Sequence, residues 1–178
     1  MKKIVLLLIV WAGLLAGCTG VPKGIVAVDH FDLNRYLGTW YEIARIDNRF
    51  ERGTEQVSAN YSLRDDGMVR VFNKGYDPEK KQWKTIEGRA KSVGDPTVGE
   101  LKVSFFGPFY AGYNVIDLDR ENYSWAMVSG TNRSYFWILS RTPQMQRALL
   151  DRLLRDAHTK GFDTLKVIRT GQETTPIP

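Results

Sequence analysis

Apolar and polar residues alternate along most of the chain after residue 40. The clearest example is the segment 56–63, in which four apolar residues alternate with polar ones. A repeat of two residues is typical of a strand with one apolar face. Turn-forming sequences such as Asp65-Asp66-Gly67 and Gly94-Asp95-Pro96 separate the alternating segments. The pattern predicts eight strands, which begin at Trp40 and continue in residues 56–63, 68–76, 83–93, 100–105, 110–118, 123–129 and 134–141.

Eight consecutive strands with short connections form a meander. We predict that it closes into an up-and-down barrel. A two-sheet sandwich is the alternative, but it usually needs a long Greek-key connection, and the later strands have none. The one long connection, residues 47–54, suits a flap over the mouth of a barrel.

The charged residues indicate which face of the predicted barrel meets water. The faces opposite the aliphatic residues carry Arg70, Lys74, Lys84, Lys91 and Lys102. A barrel that spans a membrane needs apolar residues on its outer face. We therefore expect an all-β fold, an eight-stranded antiparallel up-and-down β-barrel with water outside and an apolar lumen.

Helical elements are expected on either side of the strands. Residues 32–37 fit one short N-terminal helical turn that plugs the barrel beneath Trp40. Thr142 suits a helix N-cap and Pro143 the first turn. An apolar stripe then predicts one C-terminal α-helix packed outside the barrel, and it consists of Leu149, Leu150, Leu153, Leu154 and Ala157. Residues 165–170 favour a last short edge strand.

Residues 1–17 are typical of a cleaved signal peptide. Lys2 and Lys3 precede an apolar run of about 12 residues, which is too short to span a bilayer because spanning takes about 20. Leu15-Ala16-Gly17-Cys18 resembles the lipobox of bacterial lipoproteins. This resemblance implies cleavage before Cys18 and acylation of its thiol and new amine, a stable membrane anchor. Thr19 implies the outer membrane, facing the periplasm.

The predicted cleavage divides the chain into a lipidated tether (18–28), the barrel with its helix (29–170) and a loose tail (171–178). The signal peptide holds two of the 25 basic residues and none of the 20 acidic ones, so the mature net charge is +3. Basic and acidic residues alternate, whereas nucleic-acid binders concentrate Lys and Arg on one face. We therefore expect no nucleic-acid partner. Cys18 is the only cysteine, which leaves no disulfide and no Cys-based metal site within the chain.

Three residues stand out as a structural signature. Gly38 lies two residues before Trp40, which allows a tight bend where the indole enters a core. Arg141 ends the last predicted strand, and a guanidinium is suited to stack on an aromatic face. We expect these residues to meet.

These residues resemble signatures of the lipocalin family. Three blocks carry the resemblance: residues 38–45, the segment 117–119 with Tyr123, and Arg141 with Thr142-Pro143. It covers roughly residues 29–170 and points to the bacterial outer-membrane members, related to apolipoprotein D and plant temperature-induced lipocalins. The resemblance implies a barrel that is closed at one end, open at the other and holds an apolar ligand. It also implies that Trp40 fills the closed end and that Arg141 stacks across it.

Strand parity assigns the predicted lumen once Trp40 points inward. The first strand then contributes Glu42, Ala44 and Ile46, and the last contributes Tyr135, Trp137 and Leu139. Apolar residues of the other strands complete the lumen: Ala59, Tyr61, Val69, Val71, Ile86, Ala90, Leu101, Val103, Phe105, Tyr113, Val115, Ala126 and Val128. Phe105 and Tyr110 flank Gly107-Pro108-Phe109 at the rim. The ligand-binding candidates are Ala59, Tyr61, Val103, Phe105, Tyr110, Tyr113 and Trp137.

The lumen favours a protein that binds a long-chain lipid, such as a fatty acid or a lysophospholipid-like molecule. We expect the tail in the lumen and the head near Tyr110 and the first loop, where Arg45, Arg49 and Arg52 offer positive charge. An envelope stress or interaction lipoprotein without an essential ligand is an alternative. The resemblance allows monomers and homodimers.

A lipid-modifying enzyme is the other alternative. The sequence lacks a G-x-S-x-G elbow and metal-binding spacings, and we expect no metal and no cofactor. His30 and His158 are expected to be exposed. Glu42 and Asp117 are candidates to face inward, but two scattered carboxylates are more typical of structural groups than of an acid–base pair. We therefore expect no enzymatic activity.

Overall fold

The computed structural model describes residues 20–172. The predicted signal peptide, Cys18 and residues 173–178 of the predicted tail lie outside the described residues. The helices are α1 (Leu33–Tyr36) and α2 (Arg147–Thr159), and a 3₁₀ turn spans Thr164–Lys166. The strands are β1 (Gly38–Ile46), β2 (Glu55–Leu63), β3 (Val69–Asp77), β4 (Gln82–Ser92), β5 (Glu100–Ser104), β6 (Ala111–Leu118), β7 (Trp125–Ser129), β8 (Phe136–Ser140) and β9 (Val167–Arg169).

The strands form one antiparallel sheet in the order β2-β3-β4-β5-β6-β7-β8-β1-β9, and a further pairing of β1 with β2 closes it. Trp40 lies opposite Ala59 in the closing register. Farther along β1, residues 44–46 pair with β9. The predicted eight-stranded up-and-down barrel is therefore confirmed, with β9 as an extra strand.

The end of the described chain completes the seam between β1 and β2. The Gln172 side-chain amide donates to the Glu42 carbonyl at 2.9 Å and to the Val57 carbonyl at 2.8 Å. The Gln56 amide donates to the Gly171 carbonyl at 2.8 Å. These two residues of the predicted tail are thus fixed to the barrel.

Connections alternate between the two ends of the barrel because neighbouring strands are antiparallel. Loops 47–54, 78–81, 105–110 and 130–135 lie at one end, which is open. Helix α1 and loops 64–68, 93–99 and 119–124 lie at the other, closed end.

Two hydrophobic cores lie on opposite sides of the barrel wall. The inner core fills the closed half around Trp40, Tyr61 and Val115. The outer core joins the wall to α2, whose Leu153 is fully buried. The predicted packing of this helix outside the barrel is confirmed. None of the helices within residues 20–172 is both long and apolar enough to cross a membrane.

The predicted start of the C-terminal helix is wrong. Helix α2 begins at Arg147, and its N-cap Gln146 makes no capping hydrogen bond through its side chain. Thr142 instead belongs to a turn, in which its amide donates to the Ser140 hydroxyl at 3.1 Å and its hydroxyl donates to the Gln144 carbonyl at 2.8 Å. The side chain is thus engaged before the helix begins.

Two β-bulges make the predicted lumen wrong at several positions. The pairing of β1 with β8 shifts register between Glu42 and Ala44. An extra residue in one strand reverses the face of the residues that follow, so Ala44 and Ile46 belong to the outer core rather than to the lumen. A second shift, between Val115 and Asp117, places the Asp117 carboxylate outside, 3.7 Å from the Lys160 ammonium.

Residues 20–28, part of the predicted tether, pack against the barrel, from the outer core at Val21 to the inner core at Val28. Val21 and Ile25 pack against the outer core. The Val28 amide donates to the Val115 carbonyl at 2.9 Å. At the start of this segment, the Gly20 carbonyl accepts a 3.3 Å hydrogen bond from the Asn114 side-chain amide.

The closed end is organised around Trp40, which is fully buried. Its indole N–H donates to the Tyr36 carbonyl at 2.8 Å, which fixes α1 beneath the barrel. The Arg141 guanidinium stacks 3.9 Å from the centre of the Trp40 ring. Gly38 has φ +96°, and a Cβ there would lie 3.3 Å from Arg141 Nη1, so a side chain would crowd this stack.

Arg141 also joins three chain segments by hydrogen bonds. It donates to the carbonyls of Arg35 at 2.6 Å, Thr39 at 3.0 Å and Tyr123 at 3.2 Å. One side chain thus links α1, the start of β1 and the loop before β7.

We expect Arg141→Ala to destabilise the fold by about 2–4 kcal/mol, because hydrogen bonds to charged groups contribute about 1.5–3 kcal/mol each and water replaces part of that loss. For a chain of this size the melting temperature should fall by roughly 4–16 °C. Arg152→Ala is the control, since Arg152 lies over Trp125 at 5.3 Å but is exposed on α2. Equal melting temperatures for the two variants would contradict the assigned role.

Candidate functional site

A cavity of about 920 Å³ extends from the open end of the barrel down to Trp40 and α1. The loops 47–54, 105–110 and 130–135 contribute to its wall, whereas the loops of the closed end do not. Its wall is mainly aliphatic and aromatic. Cavities of this size and character are typical of small-molecule sites.

All seven predicted ligand-binding residues line this cavity: Ala59, Tyr61, Val103, Phe105, Tyr110, Tyr113 and Trp137. Tyr135, Leu139 and Glu42 line it as well, as parity predicted. Their contact with a ligand stays a prediction. Val115 and Ala126 lie deeper, in the inner core.

Three tyrosine hydroxyls meet at the deep end of the cavity. Tyr113 shares hydrogen bonds with Tyr36 at 2.7 Å and with Tyr61 at 3.1 Å. Burial raises the pKa of Tyr61 to about 12 and raises the pKa values of Tyr36 and Tyr113 well above their usual range. The hydroxyls therefore stay protonated and bond to one another, so an apolar ligand end beside them leaves their mutual bonds intact.

A buried, hydrogen-bonded pair of side chains, Glu42 and Arg45, lies below the open end. Arg45 Nη1 donates to Glu42 Oε1 at 2.6 Å, and the two side chains are only 1% and 3% exposed. A regular strand would place residues three apart on opposite faces. The bulge after Glu42 brings both to the inside, so no local sequence pattern identifies the pair.

Arg45 also holds the flap formed by loop 47–54. Its second terminal nitrogen, Nη2, donates to the carbonyls of Glu51 at 2.7 Å and Thr54 at 3.2 Å. The Glu51 carboxylate accepts hydrogen bonds from the Trp137 indole at 2.9 Å and from the Asn48 side-chain amide at 2.6 Å. The predicted flap is therefore fastened to both the first and the last strand of the barrel.

This arrangement corrects the expected role of Arg45, whereas the expectation for Arg49 and Arg52 stays a prediction. Arg45 is buried and engaged with Glu42 and the flap carbonyls, so it is not available to an anionic head group. Arg52 donates to the Asp47 carboxylate at 2.9 Å, and Arg49 lies over the Phe50 ring. The lysines that reach the cavity wall are instead Lys74 and Lys84, which sequence parity places outside.

The charged side chains of the cavity wall are two acids, Glu42 and Glu51, and two lysines, Lys74 and Lys84. Lys74 lies over the Trp83 ring at 3.9 Å, and Lys84 pairs with the Asp77 carboxylate at 2.6 Å. Both lysines are exposed at the rim, whereas Glu42 is buried. The site is thus acidic inside and basic at its edge.

The described residues of the cavity wall include no histidine. His30 and His158 are exposed and lie outside its wall. Within residues 20–172, no three His, Cys, Asp or Glu residues are grouped so that they could hold a metal ion. What the arrangement can do chemically is enclose an apolar molecule and orient its polar end.

A barrel of eight strands with one end open and an apolar cavity defines a class of proteins that hold one small hydrophobic ligand. The family model described as a lipocalin-like domain matches residues 31–172. The chain belongs to the lipocalin family, and the resemblance predicted from the signature residues is confirmed.

Particular relatives are similar over most of their length. The chain is 52% identical to outer membrane lipoprotein Blc of Vibrio cholerae, over 93% of this chain and 97% of the relative. It is 57% identical to outer membrane lipoprotein Blc of Escherichia coli K12, over 83% and 82%. Insecticyanin from the tobacco hornworm Manduca sexta has the same fold, with a TM-score of 0.69, 20% identity and 88% coverage of both chains.

Glu42 makes stability depend on pH in a way that a variant can isolate. Burial raises its pKa from 4.5 to about 8, the Glu51 carboxylate adds to this rise, and Arg45 opposes it. Because the folded-state pKa lies above the unfolded value, the contribution to stability is complete below pH 4.5 and is lost as the pH rises through 8.

We therefore expect Glu42→Gln to remove this dependence. The melting temperature of the parent protein, relative to that of Glu42→Gln, should fall steadily between pH 5 and pH 9 in thermal unfolding experiments. Glu87→Gln is the control, since Glu87 is an exposed acid whose pKa is lowered by Arg70. Parallel curves for the parent and Glu42→Gln would show that Glu42 ionises normally.

Proposed function

We propose that the protein is an outer-membrane lipoprotein that holds a long-chain lipid, a fatty acid or a lysophospholipid-like molecule, for storage or transport. The observation that carries the proposal is the apolar cavity of about 920 Å³ that opens at one end. The names of the bacterial relatives, both outer membrane lipoproteins, support the location, and Cys18 is the proposed site of acylation.

The polarity of the cavity wall favours entry of the tail before the head. The deep end is formed by residues such as Val71, Leu101 and Val103 around hydroxyls that already bond to one another. An anionic head placed there would approach the carboxylates of Glu42 and Glu51. Lys74, which is exposed at the rim and lies over the Trp83 ring rather than beside an acid, offers the opposite charge, so the head rests near the mouth, beside Tyr110.

The expected affinity follows from the buried tail. Burial contributes about 0.8 kcal/mol per methylene, so about 12 methylenes contribute roughly 10 kcal/mol before the cost of ordering the tail. A dissociation constant of 1 μM corresponds to about 8 kcal/mol. Micromolar or tighter binding is therefore consistent with a tail that fills the cavity.

A substitution that fills the cavity tests this proposal. We expect Ala59→Trp, on the inner face of β2, to weaken binding of a fluorescent fatty acid at least tenfold, because the indole occupies space that the tail needs. Ser62→Trp is the matched control, since it adds the same side chain to the outer face of the same strand. Both variants are first compared with the parent by circular dichroism, and affinity is then measured by fluorescence titration.

If Ala59→Trp and the parent bind the fatty acid with equal affinity, the lumen is not the binding site. Native mass spectrometry of the purified protein supplies an independent measurement, because a lipid held in the barrel should copurify and should be lost from Ala59→Trp alone. The absence of both copurifying lipid and fatty-acid binding in the parent would overturn the proposed function.

A further inference from the structure

Three exposed phenylalanines surround the mouth of the cavity. Phe50 in the flap is 68% exposed, and Phe106 and Phe109 in loop 105–110 are 73% and 78% exposed. All three belong to the cavity wall as well. Each ring thus borders the apolar lumen on one side and is exposed to solvent on the other. An apolar surface of this kind marks a site of contact with a partner or a membrane.

The chain enters the described structure beside the same mouth. The Gly20 carbonyl accepts a hydrogen bond from the Asn114 side-chain amide, which also donates to the Gly130 carbonyl at 3.1 Å. Gly130 begins an open-end loop and lines the cavity. One residue, Thr19, separates Gly20 from Cys18. At about 3.5 Å per residue, the proposed anchor lies within roughly 7 Å of Gly20.

Charge differs between the two ends of the barrel. The four loops of the open end contain five Lys or Arg residues and three Asp or Glu residues. The three loops of the closed end contain two basic and five acidic residues. The loops of the open end therefore have a net charge of +2 and the loops of the closed end −3. An anionic phospholipid surface attracts the first and repels the second.

We propose that the open end of the barrel docks on the phospholipid surface of the membrane, with Phe50, Phe106 and Phe109 inserted among the lipids. This inference deepens the proposed function and rests on it in one respect, the anchor at Cys18. Docking by the mouth means that a lipid tail passes between bilayer and lumen along the three rings without crossing water.

Spin labels at both ends of the barrel test the orientation. The protein with its anchor is reconstituted into vesicles of phosphatidylethanolamine and phosphatidylglycerol at 3:1, and a nitroxide is attached to Phe109→Cys or Phe106→Cys. Leu63→Cys is the matched control, because Leu63 is an exposed apolar residue at the closed end, 56% exposed. We expect collisions with a water-soluble nickel complex to be at least fivefold fewer at positions 106 and 109 than at position 63. Collisions with oxygen should be more frequent there.

Equal accessibility of the three positions to the nickel complex would overturn the docking. Labels at position 109 that are shielded and also show dipolar broadening lie close to one another. If this broadening disappears on dilution into excess lipid, the surface contacts a second copy of the chain instead of the membrane. Intact mass measurement shows whether the acyl chains are attached. Shielding of position 109 from the nickel complex when vesicles are added supports docking whether or not the acyl chains are present.

Fatty-acid titration of the unlabelled parent protein, in which Phe106 and Phe109 remain in the cavity wall, separates the two proposals. Intact binding with a water-exposed position 109 refutes docking alone. Shielding of position 109 without any lipid binding refutes the proposed function alone.

Discussion

The stack of the Arg141 guanidinium on Trp40 is the interaction on which the closed end depends. An indole of this size closes the barrel only if its N–H finds a partner and its outer face is covered. Tyr36 accepts the N–H and Arg141 covers the ring. Arg141 also donates hydrogen bonds to carbonyls of α1, β1 and the loop before β7. The same side chain therefore closes the barrel and holds the helical plug in position.

A firmly closed end lets the other end remain open. Most of the inner core lies in the closed half, where Tyr61 and Val115 pack around Trp40. The outer core under α2 supports the wall formed by β1, β6, β7 and β8 from its other side. The cavity of about 920 Å³ is thus bordered by packed residues at its floor and along this part of its wall.

The strands and most of the cavity wall could be predicted from the sequence because period-two alternation is a local property. Ala59, Tyr61, Val103 and Tyr113 were assigned to the lumen on that basis, and they line the cavity. Parity failed where a strand gains one residue. The bulge after Glu42 places Ala44 on the outer face and Arg45 on the inner face, and no residue pattern in the sequence of β1 indicates a bulge there. Its cause lies in pairing with β8, which is distant in sequence.

The same bulge determines the electrostatics of the site. In a regular strand Arg45 would face outward, and Glu42 would be a buried acid without a partner, which is costly. With the bulge, Arg45 lies inside and satisfies both Glu42 and two flap carbonyls. Glu42, Arg45 and the two flap carbonyls therefore form one hydrogen-bonded network, and this network joins the interior of the cavity to the loop that covers it.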